Sequence, residues 1–420
     1  MSNPPTVKFL TFNTWGLKYV SKVRRERLKA IADRLATSHE EYDVVALQEV
    51  WVREDWDYIE QVCTQFYPYR RIFYSGILTG PGLAILSKVP IESTFLYRFP
   101  INGRPSAFWR GDWYVGKSVA VTLLKPLSDD SPPLAILNSH MHAPYSLTGD
   151  AAYECHRACQ AWDFSRMAKL LSRAGYAVVI VGDLNSRPGS LPHKFLTIET
   201  ELIDSWEQLH GIQDMDYIKN LSPEKQIEIG GTTCDSTLNT WRANRHITEA
   251  CRLDYALIDG SRLNTIAAKV DFTEPIGVGS YSDHFAYSCH LQVLPIGVRP
   301  KTSNPTLMRK DTSNTRVAYH DDMLDLIEDY EKTAKWQKSW RIAHFFASIL
   351  IVIAIAIVTT FTSNRAGWSS VLWVIAAFLI GITGLVDGMI GFLFGRSELR
   401  ALDEVKNEVL DSKRSLTSMF

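Results

Sequence analysis

The chain lacks an excess of charge of either sign. Across 420 residues, 45 Lys and Arg face 46 Asp and Glu. Nucleic-acid binders need surplus cations to neutralise phosphates, so the balance argues against that class of partner. Paired CxxC spacing is also missing. Cys63, Cys155, Cys159, Cys234, Cys251 and Cys289 are scattered, which leaves no zinc ribbon and reads as free thiols in a reducing cytosol. Met1 to Lys8 holds no apolar run, so a secretory leader is not expected. No fixed-period repeat is visible, which excludes a solenoid. With 46% hydrophobic and 22% charged residues, wholesale disorder is excluded as well.

What is present is unevenly distributed. His344 to Thr362 reads HFFASILIVIAIAIVTTFT without a charge, and Val371 to Phe394 holds only Asp387. About 20 apolar residues cross a bilayer, so both runs are expected to span. Lys332, Lys335, Lys338 and Arg341 precede the first run, and Arg396 and Arg400 follow the second. The positive-inside tendency then puts both ends, and the large N-terminal part, in the cytosol. Asp387 costs on the order of 3 kcal/mol in lipid and should face protein or reach the interface. Gly381, Gly384, Gly388, Gly391 and Gly395 form a small-residue ridge. It suits packing within the hairpin or a homodimer seam, and the sequence leaves both open. Met323, Leu326, Ile327 and Tyr330 before the spans, and Leu402, Val405 and Val409 after them, recur at helical spacing.

The expected organisation is a catalytic domain over 1–297 and a Pro-containing linker over 298–318. A juxtamembrane helix at 319–342, spans at 343–362 and 370–394, and a cytosolic helix at 395–420 follow. Within the first part, apolar runs alternate between strand and helix periods. Val7–Thr14, Asp43–Gln48, Gly82–Leu86, Ser118–Leu123, Leu134–His142, Ala177–Val181, Leu253–Ile258 and Phe285–Leu294 read as strands. Val20–Thr37 and Ala151–Ala174 read as helices. The pattern predicts an α/β sandwich of two sheets with helices outside.

Polar residues collect at the ends of these strands. Asn13 follows VKFLTF, Glu49 follows VVALQ, and His140 follows LAILNS. Asp183 and Asn185 follow AVVIV, Asp254 opens DYALI, and Asp283 and His284 precede FAYSCHL. Strand ends hold side chains rigidly at a sheet edge, where several can converge. Carboxylates with amide oxygens suit a hard cation such as magnesium. Histidines beside carboxylates suit water activation near neutral pH. Together the types point to metal-assisted attack of water on a phosphodiester.

The segments LTFNTWG, ALQEVW, NSHMHAP, VGDLNSRP, CRLDYALI and SDHFAYS, in that order, resemble the endonuclease/exonuclease/phosphatase set of deoxyribonuclease-like enzymes. FNTWGL, GPGLAILSKVPI and GDWYVGKS are similar to its neutral sphingomyelinase branch, and GLKYVSK, HMHAPY and VGDLNSRPGSLPHKF to the fungal inositol phosphosphingolipid phospholipases C. The resemblance implies a four-layer αββα sandwich and a C-type phosphodiesterase releasing ceramide. It implies magnesium, with manganese as a substitute, held by Glu49 and Asn13. His284 would be the general base and Asp254 its orienting carboxylate. Asp183 and Asn185 would position water and phosphate, His140 would stabilise developing charge, and Asp283 would complete the acid–histidine pair. His142 stays open between a phosphate contact and a surface residue.

GDWYVGKS, Gly111 to Ser118, matches a nucleotide-binding loop letter for letter, yet the following SVAVTLL is strand-like. Such a loop needs a helix there, so an ATPase or GTPase is rejected. In the resembled branch the segment implies an activation loop carrying Asp112 and Lys117. The expected partners are a sphingolipid substrate and anionic phospholipids such as phosphatidylserine or cardiolipin, the latter attracted by Lys332, Lys335, Lys338 and Arg341. Endoplasmic reticulum and mitochondrial outer membrane follow by analogy. A nuclease or inositol polyphosphate phosphatase of the same fold, and a non-enzymatic membrane adaptor, are the alternatives.

Overall fold

The computed structural model describes residues 4–77, 80–107, 109–298 and 313–417. The chain divides into two compact units, Met1–Asn102 with Tyr114–Tyr319, and Gly103–Trp113 with His320–Phe420.

The first unit is a two-sheet sandwich. One sheet is built from β1 (Thr6–Asn13), β2 (Val44–Gln48), β3 (Tyr69–Ile72), β4 (Ala84–Ser87), β11 (Leu263–Asp271) and β14 (Ala286–Val293). Its order is β11-β14-β1-β2-β4-β3. The other comprises β5 (Ile91–Arg98), β6 (Ser118–Leu124), β7 (Leu134–His140), β8 (Ala177–Asp183), β9 (Ile203–Asp204) and β10 (Asp254–Ile258), in the order β5-β6-β7-β8-β10-β9. A small hairpin, β12 (Pro275–Ile276) with β13 (Gly279–Ser280), stands apart.

Period-two alternation explains the layers. In β1, Val7 and Phe9 face the other sheet and pack with Val179, Val181 and Ile136, whereas Leu10 and Phe12 face outward. The outward face is covered by α1 (Arg24–Thr37), through Leu28, Ile31 and Leu35, and by α2 (Arg53–Cys63), through Trp56 and Ile59. Helix α3 (Glu154–Arg173) buries Ala158, Ala161, Trp162 and Phe164. β1 and β2 pair in parallel, as the β-α-β pattern requires. A polar lock lies between the sheets. Gln48 donates to Asn138 Oδ1 at 2.8 Å, and Asn138 Nδ2 donates to the carbonyls of Leu47 and Ala84 at 3.1 and 3.2 Å. A buried amide with partners on the facing sheet fixes how the two sheets align.

The predicted strands are all present, and a strand does follow GDWYVGKS. Tyr69–Ile72, Ile91–Arg98, Leu263–Asp271 and α2 were not legible. Tyr69–Ile72 is short and carries two arginines, and Ile91–Arg98 shows no buried face. In Leu263–Asp271 a bulge between Thr265 and Ala267 breaks the alternation.

In the second unit, α4 runs unbroken from Ser313 to Thr362. The segments expected as a juxtamembrane helix and a first span therefore form one helix, because no Pro or Gly interrupts it. Most of the expected linker, 299–312, lies outside the described residues. Next come α5 (Ser369–Met389), a π-turn over Ile390–Phe394 and α6 (Gly395–Thr417). The helical runs Asn314–Thr362 and Ser369–Thr417 are long and apolar enough to cross a bilayer, each holding an 18-residue stretch of mean hydropathy 2.6 and 2.2 respectively. The glycine ridge packs within the chain. A Cβ on Gly384 would meet Ser348 Cβ, one on Gly388 would lie 2.6 Å from the Phe345 ring, and one on Gly391 2.8 Å from Ile342. Below it, Met323 and Ile327, with Leu402, Val405 and Val409, are buried, and Tyr330 donates to Glu398 at 2.6 Å. Residues 103–113 join this unit rather than the sandwich. Arg104 lies over the Tyr330 ring, Trp113 edges on to Phe394 at 4.8 Å, and Arg341 donates to the Ser106 carbonyl at 2.8 Å. Nothing periodic in that segment announces this.

Candidate active site

Strand register assembles the site. β7 and β8 are parallel with His140 opposite Asp183, and β8 and β10 are antiparallel with Asp183 opposite Asp254. One row across the sheet edge therefore carries His140, Asp183 and Asp254. On the facing sheet, Asn13 pairs in register with Gln48, the residue before Glu49. Asn13 links the two sheets, since its Nδ2 donates to Asp183 Oδ2 at 2.9 Å and to Glu49 Oε1 at 3.1 Å. Its Oδ1 accepts the Trp15 amide at 3.0 Å. His284 Nδ1 bonds Asp254 Oδ2 at 2.8 Å, and His284 Nε2 lies 3.8 Å from Asp183 Oδ2. His140 Nε2 stands 3.6 Å from Asp183 Oδ2 and 4.0 Å from Glu49 Oε1.

Two residues of the site hold a left-handed backbone. Glu49 at φ 60° and Asn185 at φ 46° are both left-handed, a conformation that costs a non-glycine residue about 1–3 kcal/mol. Two glycines allow the crowding. A Cβ on Gly16 would sit 2.1 Å from the Glu49 carbonyl oxygen, and one on Gly182 would sit 1.9 Å from that of Ser139. Asn185 gives its backbone N–H to Asp183 Oδ1 at 3.0 Å and its Nδ2 to the Met141 carbonyl at 3.0 Å.

The electrostatics are those of crowded buried acids. Burial raises the Asp183 carboxyl to about 7; His284 pulls it down while Asp254 pushes it up. Burial raises Glu49 too, and the Asp283 charge adds to it. Burial alone would lower His284, but Asp254, Asp183 and Asp283 outweigh it and hold the imidazole well above its ordinary value. Asp283 is ion-paired with Arg242. Asp183, Asp254 and His284 present donor atoms within 4.8 Å of one another. The 2.8 Å bond inside that trio reads better as a histidine oriented by a carboxylate than as two metal ligands. A hard cation fits the other side. Glu49 supplies a largely buried carboxylate raised by its surroundings, and added positive charge there would relieve the crowding. Asn13 offers its amide oxygen to the same ion once its side-chain amide turns over, since Nδ2 faces Glu49 here.

A comparison with protein families decides the class: the endonuclease/exonuclease/phosphatase family model matches residues 10–284. The chain belongs to this family. It is 60% identical to inositol phosphosphingolipids phospholipase C of Saccharomyces cerevisiae, over 99% of this chain and 92% of that protein. It is 37% identical to the Schizosaccharomyces pombe protein of the same name, over 97% and 95%. Among solved structures, a Staphylococcus aureus beta toxin matches with TM-score 0.50 and 17% identity, over 67% of this chain and 99% of its own. That likeness speaks for the fold. Enzymes of this family use divalent metals, in keeping with the donor set around Glu49.

Asn13, Glu49, His140, Asp183, Asn185, Asp254, Asp283 and His284 are thus brought to one place. His142 is buried rather than superficial, stacked on Tyr153 at 4.0 Å. Asp112 lies in the 103–113 segment, and Lys117 is buried with its ammonium 3.3 Å from the Met141 carbonyl. Of the stalk cations, Lys332 pairs with Asp329 at 2.9 Å, Lys335 with Glu331 at 2.6 Å and Arg341 with Asp387, while Lys338 lies along Gly395.

Several contributors escaped the sequence reading. Trp51 donates to Glu49 Oε2 at 3.3 Å; its place in ALQEVW was a usable signal. Thr233 Oγ1 accepts the amides of Leu253 and Asp254 at 3.1 and 3.2 Å, holding the strand that carries Asp254. Arg242 approaches Asp283 from 41 positions away, and no local pattern reports such a pairing.

Proposed function

We propose that the protein is a membrane-anchored, magnesium-dependent phosphodiesterase of phospholipase C type. It hydrolyses inositol phosphosphingolipids, and sphingomyelin as well, to ceramide and a phosphorylated head group. The observation that carries this reading is the His284–Asp254 pair facing Asp183, in a chain 60% identical to a protein named for that substrate.

His284, oriented by Asp254, removes a proton from water at Nε2. Asp183 and Asn185 orient that water and the phosphate, and His140 donates to an oxygen on which charge develops. Asp283, fixed by Arg242, stabilises the imidazolium that His284 becomes on taking that proton. Glu49 and Asn13 are the residues that would hold the cation, which when bound neutralises phosphate charge and polarises the phosphoryl oxygen. The two apolar helices keep the enzyme at its bilayer substrate, at high effective concentration. The sandwich and both ends lie in the cytosol, at the endoplasmic reticulum or outer mitochondrial membrane. Anionic phospholipid activates through the stalk cations Lys332, Lys335, Lys338 and Arg341, and through Asp112 and Lys117.

The test is incubation of the purified full chain with magnesium and vesicles of inositol phosphoceramide, mannosylated inositol phosphoceramide or sphingomyelin. Ceramide release is expected from the inositol lipids and abolished by a chelator. Release from none of them would refute the reading.

A further inference from the structure

The segment joining β1 to α1 carries a surface that the reaction does not use. Within it Tyr19 is 91% exposed and Val20 69%, with Val23 at 40% and Leu17 at 37%. Single exposed apolar residues are ordinary, but this many in one loop form a patch. Lys18, Lys22 and Arg25 are interleaved with them and exposed, and none of the three has an ion pair among the described residues. From Gly16 to Arg25 there is no Asp or Glu. Lys18 lies over the Tyr19 ring at 5.7 Å.

The base of the loop is fixed. Buried Arg27 donates to the carbonyls of Thr14, Trp15 and Lys22 at 3.1, 2.7 and 2.9 Å, and stacks on Trp15 at 4.5 Å. Trp15 at φ 49° and Val23 at φ 47° bracket it in left-handed backbone. A shaped loop with an apolar tip loses little freedom on docking.

An occupant must accept aromatic and aliphatic side chains beside uncompensated cations. The interface of an anionic bilayer does both, with rings at head-group depth and lysines against lipid charge. A folded protein partner would need roughly 800 Å² of surface, more than one loop offers. The loop also begins at Trp15, two residues beyond Asn13 of the active site, and the same chain carries two bilayer-length helices.

We propose that Leu17–Arg25 is a bilayer-docking element. Tyr19 and Val20 enter the interface, and Lys18, Lys22 and Arg25 engage anionic head groups, setting the site against the lipid it cleaves. Its purpose rests on the lipid-hydrolase reading above, but its test does not. The full chain, with a nitroxide on Tyr19→Cys, is reconstituted in phosphatidylcholine vesicles with or without phosphatidylserine; the native cysteines are buried. A second label on Leu170→Cys, at an exposed position of α3, is the control. With phosphatidylserine, the label at position 19 should gain collisions with oxygen and lose them with a water-soluble nickel chelate, while that at 170 stays chelate-accessible. The Tyr19→Ser, Val20→Ser double variant should lose about tenfold in turnover of vesicle substrate and keep its turnover of a short-chain soluble one. A position 19 that stays in water in both vesicles overturns the proposal. Equal insertion in both removes the cations from it. Absence of ceramide release from every substrate would sink the hydrolase reading and leave the label measurement standing.

Discussion

Buried acids occur in both units of this chain, and they are treated in opposite ways. In the helical unit, Asp387 is met by Arg341 and by His344 Nδ1 at 2.6 Å, with Ser348 3.5 Å from the far ring nitrogen. One acid has two basic partners, as an apolar setting demands. In the sandwich, Glu49, Asp183, Asp254 and Asp283 crowd together with a permanent cation, Arg242, and two histidines, His284 and His140, beside them. Asp183 and Glu49 are both pushed up, by burial first and by a neighbouring carboxylate second. A fold that merely needed stability would not collect carboxylates this way. Surplus negative charge held in rigid strands marks the place where a cation, a proton or a phosphate is handled.

Breaking the site should be costly to the reaction and cheap to the fold. His284→Ala should slow turnover by about 10²- to 10⁴-fold, with circular dichroism and vesicle insertion unchanged. Asp254→Asn comes next, with a loss on the order of 10²-fold and an altered pH profile. The base must be neutral to accept a proton, so wild-type activity should rise with pH through the raised value of His284. Asp254 is the largest charge holding that value up. Without it, the acid limb should move to lower pH. Glu49→Gln should remove the gain in melting stability that magnesium confers on the wild type, about 2.7 kcal/mol at a hundredfold excess over Kd. Differential scanning fluorimetry with and without the ion reads this. In the compensated region the effect should be the smallest. Arg341→Ala should cost about 1 kcal/mol of resistance to unfolding in detergent and leave turnover of a short-chain soluble substrate intact. If that variant lost activity as deeply as His284→Ala, the contrast between the two regions would fail.

The same contrast explains what could be read from the sequence. Asn13, Glu49, His140 and Asp183 each end or follow an apolar strand, so periodicity alone places them at sheet edges. Their meeting depends on register, which sequence pattern does not reveal: Asp183 stands opposite both His140 and Asp254 because β8 pairs with β7 on one side and β10 on the other. The four-layer fold was legible because its inner strands are apolar on both faces, as VVALQ shows. Strands such as Ile91–Arg98, exposed on much of their length, left no such trace. In the helical unit, the apolar runs were plain, but the direction of the glycine ridge was not. Small residues permit close approach and do not say to which helix. The placement of 103–113 with the helices rests on Arg104, Ser106 and Trp113, whose partners lie more than two hundred residues away.

Oxygen tracing addresses most directly the claim that water, activated by His284, attacks phosphorus. The full chain, magnesium and inositol phosphoceramide vesicles would be incubated in ¹⁸O-labelled water and the products weighed by mass spectrometry. The account requires one labelled oxygen in the released inositol phosphate and none in the ceramide. Label in the ceramide, or equal products from the His284→Ala protein, would contradict it.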